Sequence, residues 1–221
     1  MLPGWDENSL IVNHARMHYF HLGMPGKPVL VLVHGFSDNG LCWEALAEEL
    51  KNDFDMYMPD MRGHGLSERV SPGEPFDMTS DLEQFVRQLD LINPLVAGHS
   101  MGALIAFDFG ARFPQVPKAL ILEDPPLMNR QTRQNSPQAE KPHPLAAFSD
   151  SLQSKSVAQL MQECQLEHPT WPEAIALRWC EAKKQLDPNF IRSHRFAPQD
   201  WKVSLGQITC PVLLITADPN Q

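Results

Sequence analysis

Paired cysteines, basic clusters and long apolar runs are absent from this sequence, and each absence excludes a class of protein. The four cysteines form no CxxC pair, which argues against zinc ribbons and favours free thiols in a reducing compartment. Lys and Arg number 18 against 27 Asp and Glu, without a basic cluster, so nucleic acid is not an expected partner. No signal-peptide pattern opens the chain, and no apolar run reaches the roughly 18 residues that cross a bilayer. We therefore expect a cytoplasmic protein without a membrane partner.

Short β-branched runs alternate with amphipathic stretches along the 221 residues. This alternation is typical of an α/β fold whose mostly parallel sheet is covered by helices on both faces. The predicted elements of this core are the strands Leu10–Asn13, Arg16–Leu22, Val29–Val33, Phe54–Met58, Leu95–Ala97, Ala119–Leu122 and Val212–Thr216, and the helices Leu41–Leu50, one beginning at a capping box of Ser80 and Glu83, and Met101–Arg112.

The alternation stops after the strand at 119–122. Residues 125–144 are rich in Pro, Gln and Asn, which indicates a loop, and 145–205 show helical patterns but no strand. We therefore predict three parts: a first part of the core at 1–124, a helical cap at 125–206 inserted between core strands, and a resumed core at 207–221.

Gly98-His99-Ser100-Met101-Gly102 lies between a predicted strand and a predicted helix. A serine on a sharp strand-to-helix turn is exposed above the sheet as a nucleophile, and glycines two residues away relieve the crowding of such a turn. The N–H of Met101, at the start of the helix, can stabilise an oxyanion. This pattern predicts nucleophilic catalysis by Ser100.

Four segments together resemble the capped α/β-hydrolase superfamily: Val29–Phe36, Asp60–Ser67, Gly98–Gly102 and Pro211–Asp218, in that order. The resemblance implies a hydrolase with a Ser–acid–His triad. It also implies that His34-Gly35-Phe36 supplies a second oxyanion donor through the N–H of Phe36. The segment Asp60–Ser67, with Arg62 and His64, is expected to brace loops near the site.

The triad acid has two possible positions under this resemblance. Asp218 follows the strand after the predicted cap and is the preferred acid. Glu123 or Asp124, after the strand that precedes the cap, is the alternative, with Asp124 the leading choice of that pair. In either position the carboxylate would orient the histidine and stabilise its protonated form.

The catalytic histidine has no counterpart in the printed sequence, because the family's order is Ser, acid, His and none of the three residues after Asp218 is a histidine. His34, His64 and His99 belong to motifs with other roles, and we expect His14, His18 and His21 at the sheet surface. The histidines at 143, 168 and 194 fall in the loop or cap, and one of them could replace the base. We expect instead that a C-terminal segment is missing, or that a companion segment completes the fold.

The leading functional prediction is hydrolysis of carboxylic esters through an acyl-enzyme at Ser100. Cleavage of C–C bonds, lactones or thioesters, and perhydrolysis, use the same triad. A ligand-binding member without the base is the alternative from a different class. The predicted substrate is a small ester-like molecule, no cofactor or metal is implied, and the oligomeric state is not predicted. Apolar side chains of the cap either line an acyl pocket or form the cap's own core; they are Leu160, Trp171, Ile175, Leu177 and Trp179.

Intact mass measured with and without a fluorophosphonate probe separates a serine hydrolase from a ligand-binding member without the base. For a serine hydrolase we predict a mass above 25.0 kDa and one stoichiometric adduct on Ser100. A site without its base would not form this adduct, because loss of the base costs about 10⁶ in kcat. A mass equal to that of the 221 residues, with no adduct, would instead favour the ligand-binding alternative.

Overall fold

The computed structural model describes residues 2–126, 144–193 and 201–216. Their strands form one sheet of seven. The strands are β1 (Asp6–Val12), β2 (Ala15–Gly23), β3 (Val29–Val33), β4 (Asp55–Pro59), β5 (Leu95–His99), β6 (Ala119–Glu123) and β7 (Val212–Ile215).

The order of the strands across the sheet is β1-β2-β4-β3-β5-β6-β7. The pairs β1–β2 and β2–β4 are antiparallel, and every pair from β4–β3 to β6–β7 is parallel. This confirms the predicted mostly parallel sheet. Val33 is paired with Gly98, and His99 with Glu123, so the loops that leave β3, β5 and β6 meet at one edge of the sheet.

Helices follow most of these strands. They are α1 (Glu44–Leu50), α2 (Met78–Gln88), α3 (Met101–Arg112), α4 (Pro144–Ser154), α5 (Val157–Glu167), α6 (Glu173–Gln185), α7 (Phe190–Ser193) and α8 (Trp201–Leu205). Residues 144–193, between β6 and β7 in the chain, are called the helical insertion below. They hold helices and no strand, as the sequence predicts, while the domain boundaries at 124/125 and 206/207 stay predictions. In the described ranges no helix combines the length and apolar character needed to span a bilayer.

The apolar residues of β3 are buried on both faces of the sheet. Val31 and Val33 pack in one cluster with side chains of α2 and α3, and Leu30 and Leu32 pack in a second cluster on the opposite face. This explains why the strand is an unbroken apolar run, since neither face meets water.

The last strand differs from β3, although its sequence is equally apolar. The four residues of β7 are between 39% and 56% exposed. Among the described strands β7 pairs only with β6, so one edge and much of both faces lie open.

Three local predictions need correction. The second helix begins at Met78, and its cap is Asp77, which accepts hydrogen bonds from the N–H groups of Thr79 and Ser80. The predicted capping box is therefore wrong, because Ser80 already lies in the first turn. The predicted helix Leu41–Leu50 is a 3₁₀ turn at Gly40–Trp43 followed by α1.

His18 is the third correction, since it is buried rather than at the sheet surface. Its Nδ1 lies 2.9 Å from Asp60 Oδ2, and its Nε2 lies 3.2 Å from Glu7 Oε1. Two carboxylates therefore flank the ring, and the hydrogen bond between Nδ1 and Asp60 compensates part of the loss of water around it.

Asp60, the residue after β4, binds three parts of the chain: β2, the start of the 3₁₀ turn and the turn that follows β4. Its fully buried carboxylate accepts hydrogen bonds from the N–H groups of Gly40 at 2.7 Å and Leu66 at 2.8 Å, in addition to the contact with His18. A carboxylate buried in this way is stable only with such partners. The adjacent Gly65 has a φ of +52°, and a Cβ there would lie 2.1 Å from Asp60 Oδ2.

Replacement of Gly65 by alanine should therefore destabilise the protein by roughly 2–4 kcal/mol, combining backbone strain with displacement of a buried carboxylate. Gly26→Ala is the matched control, because Gly26 has a φ of +92° but no atom of the described residues within 4 Å of its would-be Cβ. Urea unfolding measures the free energy of unfolding of both variants. Equal losses in the two variants would mean that the contact with Asp60 contributes nothing beyond strain.

Candidate active site

Ser100 occupies the turn between β5 and α3, as the motif predicts. Its φ of 50° and ψ of −111° lie outside the regions that non-glycine residues normally adopt, at a cost of about 1–3 kcal/mol. The turn is held by hydrogen bonds: the Ser100 N–H donates to the Glu123 carbonyl at 2.9 Å, and the Leu104 N–H donates to the Ser100 carbonyl at 3.1 Å. The surrounding backbone therefore maintains the strained conformation of Ser100.

Gly98 and Gly102 are required by close contacts between backbones. A Cβ at Gly98 would lie 2.3 Å from the carbonyl group of Gly102, and a Cβ at Gly102 would lie 2.1 Å from the Val33 carbonyl oxygen. The first turn of α3 thus packs directly against β5 and the end of β3. Any side chain at either glycine would push the helix away and move Ser100.

Two backbone N–H groups are available beside Ser100. Met101 is the first residue of α3, where N–H groups have no acceptor within the helix. Phe36 follows β3 in the loop 34–39. Across residues 2–126, 144–193 and 201–216, neither N–H donates to another described residue. Both donors therefore have the freedom that an oxyanion site requires.

The loop that carries Phe36 packs against His99, the residue before Ser100. A Cβ at Gly35 would lie 2.7 Å from His99 Nδ1, so only glycine allows the loop to approach His99 this closely. This contact, together with the pairing of β3 with β5, places the loop 34–39 beside the turn at Ser100.

His34 positions this loop and is not free to act as a base. Its buried Nε2 accepts a hydrogen bond from the Met61 N–H at 2.9 Å, and its Nδ1 lies 2.8 Å from the Gly35 carbonyl oxygen. These partners require the proton on Nδ1, which donates to Gly35. Burial lowers the pKa of His34, so the ring stays neutral.

His64 is also buried and neutral, because burial lowers its pKa well below 6.5. Its Nδ1 lies 3.1 Å from the Arg62 carbonyl oxygen, while its buried Nε2 has no hydrogen-bond partner among the described residues. The Arg62 guanidinium meets the buried Asp81 carboxylate through two hydrogen bonds of 2.8 Å. The turn after β4 is therefore attached to α2, consistent with the bracing role expected of it.

The candidate acids lie at the same edge of the sheet as Ser100, as far as the structure describes them. Asp218, together with His143 and His194, lies outside the described residues. Asp124 follows β6, is exposed, has a φ of 47°, and donates its N–H to the Ile215 carbonyl oxygen at 2.8 Å. Glu123 pairs with His99 in the sheet register.

An aromatic contact between Phe36 and the helical insertion was not apparent from the sequence. The Phe36 ring lies 5.9 Å from Phe190, 6.3 Å from Phe148 and 5.9 Å from His64, measured between centroids. Phe190 itself is fully buried. It follows Asp-Pro-Asn in a turn, and no periodic pattern predicts its partners. The insertion therefore covers the side-chain face of the loop 34–39.

Residues expected in a pocket of the cap occupy different environments. Leu160 is fully buried, whereas Trp171 and Leu177 are about two-fifths exposed, at 39% and 41%. The Trp171 ring stacks on His168 at 4.0 Å, and Trp179 packs against Lys183. Leu160 thus belongs to the core of the insertion, as the second interpretation of these residues predicts.

Among the described residues, no cluster of three His, Cys, Asp or Glu is arranged for a metal ion.

Comparison with known proteins gives relatives of several activities. The N-formylmaleamate deformylase of Pseudomonas putida is 30% identical over 212 residues, covering 93% of this chain and 75% of the relative. A serine hydrolase-like protein of Homo sapiens is 36% identical over 107 residues, or 47% of this chain and 52% of the relative. Epoxide hydrolase 1 of Caenorhabditis elegans is 25% identical over 124 residues, and the match spans 31% of that protein and 55% of this chain.

The fold comparison agrees with the sequence comparison. The crystal structure of the N-formylmaleamic acid deformylase from Pseudomonas putida S16 superposes with a TM-score of 0.75 at 25% identity, covering 97% of this chain and 85% of that structure. The profile of the alpha/beta hydrolase family matches residues 30–221. From β3 onward, therefore, this chain belongs to the alpha/beta hydrolase family.

Proposed function

We propose that this protein is a serine hydrolase that cleaves carboxylic esters through an acyl-enzyme at Ser100. The observation that carries the proposal is the backbone of Ser100, held at a φ of 50° between β5 and α3. Such strain persists only where the surroundings enforce it, and it is common at catalytic residues. A serine with a merely structural role could relax to an ordinary turn.

In the proposed reaction the Ser100 Oγ attacks the carbonyl carbon, and its proton passes to a general base. The N–H groups of Phe36 and Met101 donate to the oxygen that becomes negative, and each such donor is typically worth about 10²–10³ in rate. The alcohol leaves with a proton, and water then releases the acid from Ser100. His34 and His64 take no part in proton transfer, because both rings are buried and His34 uses both nitrogens in hydrogen bonds.

The serine nucleophile also separates this proposal from epoxide opening. Members of this fold that open epoxides use a carboxylate at the nucleophile position, and this chain has Ser100 there. The match to a nematode epoxide hydrolase covers 31% of that protein. It supports the shared fold and does not support an epoxide substrate.

A second candidate substrate is an N-formyl amide. The Pseudomonas putida deformylase is similar over 93% of this chain, and attack on a formyl carbonyl would use the same nucleophile and oxyanion donors. Phe148 and Phe190 of the insertion pack on the ring of Phe36, the residue that carries one of the two donors, which favours a small acyl group. The leaving group would then be an amine rather than an alcohol.

Replacement of Ser100 by alanine tests the proposed function. We expect kcat for p-nitrophenyl acetate to fall by about 10⁴-fold or more, because a triad nucleophile supplies most of the rate. Ser71→Ala, in an exposed turn, is the control and should keep the wild-type rate. Assay of N-formylmaleamate with the same proteins distinguishes the two substrates. Equal activity of Ser100→Ala and wild type on both would overturn the proposal.

Two asparagine variants identify the acid. Asp218→Asn should lower kcat by about 10⁴-fold, since the histidine base that the family resemblance implies would lose its orienting carboxylate, while Asp124→Asn should stay within about threefold of wild type. Asparagine tolerates the left-handed backbone of Asp124, so this variant removes charge without new strain. A large loss in Asp124→Asn alone would assign the acid to the end of β6 instead.

A further inference from the structure

Lys183 is a buried lysine that lies far from the predicted motifs in the sequence and contacts the loop 34–39 in the fold. It belongs to α6 in the helical insertion and is 4% exposed. Its ammonium group donates to the Ser37 carbonyl oxygen at 3.2 Å and pairs with the Asp38 carboxylate. The Trp179 ring covers the same ammonium group at 4.7 Å. Buried lysines are rare and require partners of this kind.

Ser37 and Asp38, which bond to Lys183, are the two residues that follow Phe36 in the chain. Ser37 is buried and has a φ of 66°, a conformation that costs energy for a residue other than glycine and needs support from its surroundings. The Asp38 N–H donates to the Gly35 carbonyl oxygen at 3.2 Å, which closes a turn around Phe36. The lysine thus supports the strained half of this turn from the side of the insertion.

A second contact from the end of α6 reaches the same loop. Asn39 Nδ2 donates to Gln185 Oε1 at 2.8 Å. Gln185 is two residues after Lys183, and its carbonyl oxygen accepts a hydrogen bond from Arg69. Three consecutive loop residues, 37 to 39, are therefore bonded to one helix end.

We propose that Lys183 is a positioning residue that holds the loop 34–39 so that the Phe36 N–H faces the reacting carbonyl. The inference rests on the proposed function, since it assigns the Phe36 N–H to the oxyanion. The N–H of Phe36 can serve only if its peptide plane is fixed, and the two residues that follow it, Ser37 and Asp38, bond to Lys183. Because oxyanion donors act on charge that develops in the transition state, a displaced donor lowers kcat more than it changes KM.

Lys183→Met tests the inference, with Arg178→Met as the matched control. Arg178 lies on the same helix and pairs with Glu44 of α1. Its loss breaks an ion pair between the insertion and the core, and within the described part of the chain Arg178 makes no hydrogen bond or ion pair to the loop 34–39. We expect kcat for p-nitrophenyl acetate to fall by about 10–100-fold in Lys183→Met, with KM within about threefold, since one oxyanion donor is worth about 10²–10³. Lys183→Arg, which restores a cation, should recover at least part of the loss, and Arg178→Met should keep the wild-type kcat.

Hydrogen–deuterium exchange provides a readout that does not depend on activity. Amides of the peptide spanning 34–40 should exchange about tenfold faster in Lys183→Met than in wild type, and Arg178→Met should leave them unchanged. Unchanged exchange in Lys183→Met would overturn the inference, as would faster exchange with an unaltered kcat. If wild type itself neither hydrolyses the ester nor reacts at Ser100, the proposed function fails. If, in addition, the peptide 34–40 exchanges at the wild-type rate in Lys183→Met, the claim that Lys183 holds the loop 34–39 fails as well.

Discussion

The close packing of the first turn of α3 against β3 and β5 is the constraint on which the rest of the site depends. It leaves no room for a Cβ at Gly98 or Gly102. The same packing sets the strained backbone of Ser100 and places Met101, whose N–H has no acceptor among the described residues, at the start of α3. The covering of both faces of β3 by apolar clusters supplies the stability that this strain requires.

Two buried polar groups then hold the loops around that turn. Asp60 accepts hydrogen bonds from Gly40, at the start of the 3₁₀ turn, and from Leu66, in the turn after β4. It also contacts His18 of β2. His34 accepts the Met61 N–H, which joins the loop after β3 to the loop after β4. Each group is fully buried, so an unpaired partner would cost about 1–3 kcal/mol or more. The loops consequently have little freedom to move apart.

The helical insertion contributes to the same arrangement from the opposite side. Phe148 and Phe190 pack on the Phe36 ring, while Lys183 and Gln185 bond to the backbone and side chains that follow it. The insertion therefore covers the loop 34–39 and also sets its conformation. This dual contact links any change in the insertion to the geometry of the candidate oxyanion site.

The sequence by itself determined the sheet, the position of Ser100 and the loop of Phe36, because each depends on a local pattern: an apolar run, a spacing of glycines, or a strand followed by His-Gly. It could not determine the burial of His18 or the role of Lys183, and it assigned a cap to Ser80 that belongs to Asp77. His18 and Lys183 depend on partners 42 and 145 residues away in the chain, and a single buried ion pair leaves no periodic signal. Only the tertiary structure brings such charges together, since the exclusion of water, and not the local sequence, makes their pairing necessary.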